Sequence, residues 1–216
     1  MKPPVVLPNE DVSYMNELMF DSEGKLKAVP AKELASLPPI HLMIWGNKNG
    51  VYTYPTQELI DWLRDRIAGR SAIEIGAGLG GIGRALGITM TDSHVQTTPV
   101  MLAYYRAMGQ VPIQPPDDVL KFEANEAIDH FKPEVVVGCY ITQKYLPGDE
   151  DTKTGSSVYG VDELVMLPKI KTYLNIGNSS VHHDKRIRNL PHTVYQFDWL
   201  FTRSTDPDKN EIVVWE

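Results

Sequence analysis

The clearest rhythm along the chain is helical. Leu59, Ile60, Leu63 and Ile67 recur on one face behind Thr56, a hydroxyl placed to cap a first turn, so residues 56–68 read as an amphipathic helix. The pattern then changes period. Residues 71–75 form a short apolar run that passes through Gly76, Gly78, Gly80, Gly81 and Gly83 into a second helical pattern ending near Leu86: strand, tight loop, helix. Residues 88–92 give a second strand closed by Asp92, and residues 99–108 a helix. Over residues 119–131 two patterns compete. Leu120, Ala124, Ala127, Ile128 and Phe131 fit one continuous helix, or residues 119–122 form a short third strand closed by Glu123 with a helix after it. The second is preferred, because a parallel sheet needs a strand before the crossover to Val135. Residues 134–141 are β-branched and nearly uninterrupted, as expected at the centre of a parallel sheet. A helix opens after residues 159–163 and runs to about Leu167, and residues 172–178 make the fifth strand. The chain closes as strand (193–197 or 199–203), turn (205–210) and strand (211–215).

The first fifty residues are less regular. Six prolines between Pro3 and Pro39 interrupt them, leaving a short helix over 31–37, a strand or packed arm over 40–45, and a turn over 46–50. Residues 144–157 are charged and rich in Gly, Asp and Thr, which predicts a flexible loop able to act as a lid. The organisation expected is an N-terminal extension, 1–50, and one α/β domain, 51–216.

Composition narrows the class. Apolar content of 42% and charged content of 23% fit a soluble globular protein, and no run approaches the ~20 apolar residues of a membrane helix. The opening residues carry prolines and acids where a signal peptide would be apolar, so a cytoplasmic location is expected. Cys139 is the only cysteine, which excludes an intramolecular disulfide and a four-cysteine zinc site within one chain. A net charge of −7 disfavours a broad nucleic-acid surface. His182, His183 and Asp184 could join His192 at a metal, but adjacent histidines diverge in either secondary structure, and no metal site is expected. Lys185, Arg186 and Arg188 read as a solvated basic face.

The chemistry gathers at the glycine loop. Glycines let the chain take positive φ and let a ligand approach bare backbone, while the free N–H groups of the next helix face what is bound. Glu74, a carboxylate inside an apolar strand, demands a partner. Ligands in open parallel sheets lie outside the carboxyl ends of strands, so Asp92 is placed to accept both hydroxyl protons of a ribose, or to cap the next segment.

The spelling Glu74-Ile75-Gly76-Ala77-Gly78-Leu79-Gly80 resembles the first motif of class I S-adenosylmethionine-dependent methyltransferases. That resemblance implies a three-layer Rossmann-like fold, with a mostly parallel seven-stranded sheet and a C-terminal antiparallel hairpin that dinucleotide-binding domains normally lack. It implies S-adenosylmethionine as cofactor, with Glu74 serving the methionine end, Gly76, Gly78 and Gly80 packing against the cofactor, and Glu123 and Ala124 near the adenine. The family usually has an apolar residue after the ribose acid, whereas Ser93 and His94 stand here. Cys139-Tyr140-Ile141-Thr142, Gly160-Val161-Asp162-Glu163 and Ile176-Gly177-Asn178 also resemble an uncharacterised bacterial group of methyltransferase-like proteins. Gly138 to Gln143 matches neither the acceptor tetrad of amino-methylating nucleic-acid enzymes nor the Pro-Cys pair of cytosine C5 enzymes. Cys139 is therefore grouped with the cofactor-lining positions rather than as a nucleophile. Tyr140 and Thr142, two apart in an extended stretch, would share a face toward the acceptor, with Tyr159 closing over it and Tyr52 and Tyr54 near the mouth. The expected reaction is methyl transfer to an N or O acceptor, a small molecule rather than nucleic acid. A non-catalytic cofactor-binding module and a nicotinamide-dependent oxidoreductase are the alternatives. Neither the acceptor nor the oligomeric state is written in the sequence.

Overall fold

Val135 and Val137 face one side of the central strand and Val136 the other, and each side is covered by its own helices. The structure, a computed structural model describing residues 8–145 and 155–216, is a mixed α/β protein built on one sheet. Its strands are β1 (Ala72–Ile75), β2 (Thr89–Asp92), β3 (Leu120–Lys121), β4 (Val135–Cys139), β5 (Thr172–Asn178), β6 (Thr193–Tyr195) and β7 (Asn210–Trp215), in the spatial order β3-β2-β1-β4-β5-β7-β6. The first five are parallel, and β7 lies antiparallel between β5 and β6. The architecture is Rossmann-like, with the terminal hairpin expected from the sequence. At 193–203, where two placements competed, the strand takes the earlier one.

The helices are α1 (Met15–Met19), α2 (Ala31–Ala35), α3 (Pro39–Asn49), α4 (Gln57–Ile67), α5 (Gly81–Leu86), α6 (Pro99–Ala107), α7 (Ala124–Phe131), α8 (Glu163–Met166) and α9 (Ser179–His182). Leu59, Ile60, Leu63 and Ile67 of α4 pack with Ile82 of α5 against Val135, Val137, Leu174, Ile176, Ile212 and Val214. On the other face Ala127 and Ile128 of α7 and Met166 of α8 cover Ile73, Ile75, Val136, Tyr173, Val213 and Trp215. Thr56 caps α4 as its position predicts. Its Oγ1 accepts from Leu59 N at 3.1 Å and donates to Trp199 O at 3.2 Å, joining the helix to the hairpin arm. Thr56→Ala removes both bonds from a fully buried site and is expected to cost about 1–2 kcal/mol, read as a lowered urea midpoint with an unchanged slope.

The extension differs from its sequence reading. Residues 40–45 are helical, and the expected turn at 46–50 is the end of the same helix, α3. The reason is local: Pro39 stands at the first helical turn, where its fixed φ and missing N–H suit a helix start, and Gly50 at φ +68 closes the helix in the left-handed conformation. An apolar run between such signals is strand or helix by composition alone. Gly46 sits inside α3 because a Cβ there would lie 2.8 Å from both Val51 O and Arg203 Cβ. Trp45, Tyr54, Met15, Met19 and Leu34 form a core of their own, with Leu79 and Phe201 of the main body packed against it. The extension is thus joined to the domain by apolar contact.

The basic cluster is also corrected. Lys185 is 3% exposed and ion-paired with the equally buried Glu163 at 2.6 Å, while Arg188 bonds Glu211. A sequence rich in lysine and arginine reads as solvated when its acidic partners, here on α8 and β7, are distant along the chain. Among the described residues no helix is long and apolar enough to cross a membrane.

Candidate functional site

Five parallel strands end on one edge, and the strand order reverses between β1 and β4, where open α/β sheets leave a crevice. A cavity of about 360 Å³ opens there. Gly76 from the end of β1, Asp92 and Ser93 from β2, Phe122 to Ala124 beyond β3, and Cys139 to Thr142 beyond β4 line it.

The glycine loop turns sharply through Gly76 (φ +57) and Gly78 (φ +54), a conformation that favours residues without a Cβ. Asp92 holds the loop: its Oδ2 accepts from Gly78 N at 3.1 Å and its Oδ1 from His94 N at 2.8 Å. It closes the next turn, one of the two roles its sequence position allowed, and it also stands at the cavity wall. Each carboxylate oxygen keeps a second lone pair for a ligand hydroxyl. Glu74 points elsewhere. Its side chain is 2% exposed, and Oε2 accepts from Gly83 N at 2.8 Å inside α5. Burial pushes its carboxyl up to about 8, reinforced by nearby Asp92 and opposed by the Gly83 N–H and Arg84. It lines a smaller cavity of about 60 Å³ beneath the loop, together with Gly76, Gly78 and Cys139. Gly80 lines neither cavity. It begins α5 at φ +71, where a Cβ would lie 2.8 Å from Met90 Sδ, so its role here is to let the loop meet β2.

No family model and no curated protein matches the chain. Among solved structures, it is similar to a hypothetical protein of Thermus thermophilus, with 13% identity over 74% of this chain and 83% of that one at a TM-score of 0.38. It is also similar to Thermoplasma acidophilum 1320, with 15% identity over 72% of this chain and 83% of that one at a TM-score of 0.32. Neither likeness carries weight at these scores. The site is read from its own geometry.

Glu123 and Ala124 both line the cavity, at the start of α7. Cys139 closes β4, partly buried and lining both cavities, and desolvation there raises its thiol's pKa further from thiolate character. Tyr140, Thr142 and Tyr159 line the same cavity, although not for the reason the sequence offered. Tyr140 takes φ +51, so the chain turns there and an extended shared face with Thr142 does not exist. The Tyr140 ring lies tilted against Tyr52 at 5.4 Å and meets His182 edge-on at 5.1 Å, while its hydroxyl is buried beside Thr202 without a hydrogen bond of normal geometry. Its pKa is pushed up to about 12, chiefly by burial, so the phenol stays protonated at neutral pH. Tyr159 arrives through backbone pairing, since Lys144 N donates to Val161 O and Val161 N to Thr142 O. The described ends of the expected lid, 144–145 and 155–157, include this pairing, and its centre, 146–154, lies outside the described residues. Tyr52 stands at the cavity, whereas Tyr54 is fully buried, donating to Leu42 O at 2.5 Å.

The cavity also gathers residues that sequence reasoning missed: Tyr104 and Tyr105 from α6, Phe122, Ile113 and Arg203. Ile113 leans on the loop, 3.3 Å from where a Gly78 Cβ would be, and its N–H donates to Gln96 Oε1 at 2.8 Å. Helical spacing alone gave no hint for Tyr104 or Tyr105, and Arg203 ends a stretch, 199–203, read only as a possible strand. Taken together, the ends of β2 and β3 offer two carboxylates and apolar surface, while phenols from α6, Tyr52, Tyr140 and Tyr159 join one cation, Arg203, in the rest of the lining. The phenols whose pKa values are shifted, Tyr105, Tyr140 and Tyr159, are all raised, chiefly by burial. Such groups donate hydrogen bonds and orient a ligand; they do not take up a proton at neutral pH.

Proposed function

We propose that the protein transfers a methyl group from S-adenosylmethionine to a nitrogen or oxygen acceptor. The observation that carries this reading is Asp92, whose carboxylate stands at the end of β2 facing the cavity while tying down Gly78 of the loop beside it. The order β3-β2-β1-β4-β5-β7-β6 with its antiparallel β7 supports it as well, being the hairpin-extended sheet that the family resemblance implies. The residues present fit the cofactor. Gly76 lines the cavity with bare backbone, where a Cβ would collide with Ile141 Cδ1 at 2.7 Å, Asp92 has lone pairs free for ribose hydroxyls, and Val95, Phe122 and Ala124 give an apolar wall for a purine. When bound, S-adenosylmethionine would supply an electrophilic sulfonium methyl for an acceptor lone pair, with the thioether as leaving group. The chain's part is alignment and exclusion of water, and the phenols around Tyr140 orient the acceptor without acting as bases.

S-adenosylhomocysteine is expected to bind in calorimetric titration and NAD is not. Heat from NAD with none from the thioether would instead support the nicotinamide reading. Asp92→Ala is expected to weaken S-adenosylhomocysteine binding by about 1–3 kcal/mol, the scale of hydrogen bonds to a charged group, with circular dichroism preserved. An unchanged dissociation constant would place the ribose away from β2.

A further inference from the structure

We propose that the β4 side of the cavity is a receptor for a small aromatic carboxylate, with Arg203 holding the carboxylate and the surrounding tyrosines holding the ring. The proposal rests on the methyltransferase reading only in taking this ligand as the methyl acceptor. Five tyrosines, Tyr52, Tyr104, Tyr105, Tyr140 and Tyr159, line the cavity from four separate parts of the chain. Flat apolar rings edged with hydroxyl donors suit an aromatic ligand better than an aliphatic one.

Arg203 supplies the charge selection. Its guanidinium lies 3.5 Å above the centre of the Tyr52 ring, and it makes one long hydrogen bond, 3.5 Å to Gly46 O. Among the described residues no carboxylate pairs with it. A guanidinium carries five N–H donors in one plane, and stacking one face on Tyr52 leaves that edge free to grip a carboxylate with two bonds. The acids that line the cavity, Asp92 and Glu123, come from the other side of it, and both Asp92 oxygens already accept backbone N–H groups. A cationic acceptor would meet Arg203 with like charge, and a neutral one would leave that charge unanswered. About 360 Å³, shared with a cofactor, restricts the acceptor to roughly one ring.

The test uses anthranilate, whose amino lone pair is free at neutral pH, against aniline and acetate, which each carry half of its chemistry. All three are titrated calorimetrically into the full-length protein, with and without saturating S-adenosylhomocysteine. Anthranilate is expected to bind at least tenfold more tightly than either fragment. Arg203→Gln should weaken anthranilate at least tenfold while leaving S-adenosylhomocysteine within twofold, and Arg203→Lys should keep part of the anthranilate affinity. Absence of anthranilate binding, or equal affinity for anthranilate and aniline in the unmodified protein, overturns the proposal whatever the variants do. Loss of S-adenosylhomocysteine affinity alone in Arg203→Gln also overturns it, assigning the guanidinium to the cofactor's carboxylate. If anthranilate binds through Arg203 but S-adenosylhomocysteine does not bind at all, the receptor stands and the methyltransferase reading falls.

Discussion

Lys185→Met is expected to destabilise the fold by about 3–5 kcal/mol, the usual result of leaving a buried charge without its partner. Lys185 Nζ donates to Glu163 Oε1 at 2.6 Å, and the same oxygen accepts from Tyr173 Oη at 2.8 Å and, at 3.5 Å, from Asn175 Nδ2. Both charged residues are 3% exposed, so neither can turn to water once the other is removed. Burial lowers the Lys185 pKa, and Glu163 opposes that change by favouring the ammonium. The pair joins the first turn of α8 to the segment after α9 across the underside of β5. Adding Glu163→Gln to Lys185→Met removes the orphaned charge while keeping an acceptor for the Tyr173 hydroxyl, so the double variant should recover most of the loss. Urea denaturation of wild type, both single variants and the double variant closes the cycle. A single-variant cost below about 1 kcal/mol would mean that the pair matters less than its burial implies.

Stability should fall as pH rises from about 4.5 to about 8, because Glu74 holds its proton more tightly folded than unfolded. The sign follows from the raised value in the folded state. Below about 4.5 the carboxyl is neutral in both states and the contribution is fully present. Between the two values only the unfolded chain ionises, which favours unfolding, and above about 8 the contribution is lost. At about 1.4 kcal/mol for each pH unit separating the folded and unfolded values, the whole contribution is on the order of 5 kcal/mol. Glu74→Gln keeps an oxygen for the Gly83 N–H and cannot ionise. It should match wild type near pH 4, exceed it by several kcal/mol near pH 8, and show this difference in urea midpoints measured across that range. Parallel curves for the two proteins would show that Glu74 ionises normally, reached by water from the small cavity under the loop. A ligand that places a cation beside Glu74 would draw the proton off, so its affinity should rise with pH over the same interval.

The strands were legible in the sequence because burial on both faces leaves a near-continuous apolar run, as at 135–139, and because β5 and β7 repeat it. The short β3 was recoverable only by topology, since its two residues are exposed and carry little pattern. The extension was misread at α3, where the decisive signals were Pro39 and Gly50 rather than periodicity. At the site, the loop glycines and Asp92 were visible because the need for bare backbone and for a carboxylate at a strand end leaves few residue choices. Tyr104, Tyr105, Ile113 and Arg203 were not visible, since each reaches the cavity through tertiary contacts between distant segments. Tyr140 lines the cavity, but not through the extended face expected: its left-handed backbone cannot be read from a tyrosine, which seldom adopts it. Lys185 shows the opposite failure, in which a charged residue looks exposed until its partner is brought beneath the sheet.

One wall of the cavity is made where two segments about 150 positions apart, 46–54 and 201–203, meet. Tyr54 N donates to Phe201 O, Arg203 N to Tyr52 O, and Thr53 bridges Thr202, while Arg203 reaches Gly46 across 157 positions. On a ribosome, the segment around Tyr52 leaves the tunnel on the order of ten seconds before its partner exists, at typical rates of elongation. Throughout that interval Trp45 and Tyr54 lack Phe201, part of the surface that covers them. Contacts so far apart in sequence demand loop closure before they return any stabilisation. The glycine loop and the strands β1, β2 and β4 can therefore condense first, and the Tyr52–Arg203 wall waits until residues 201–203 have emerged.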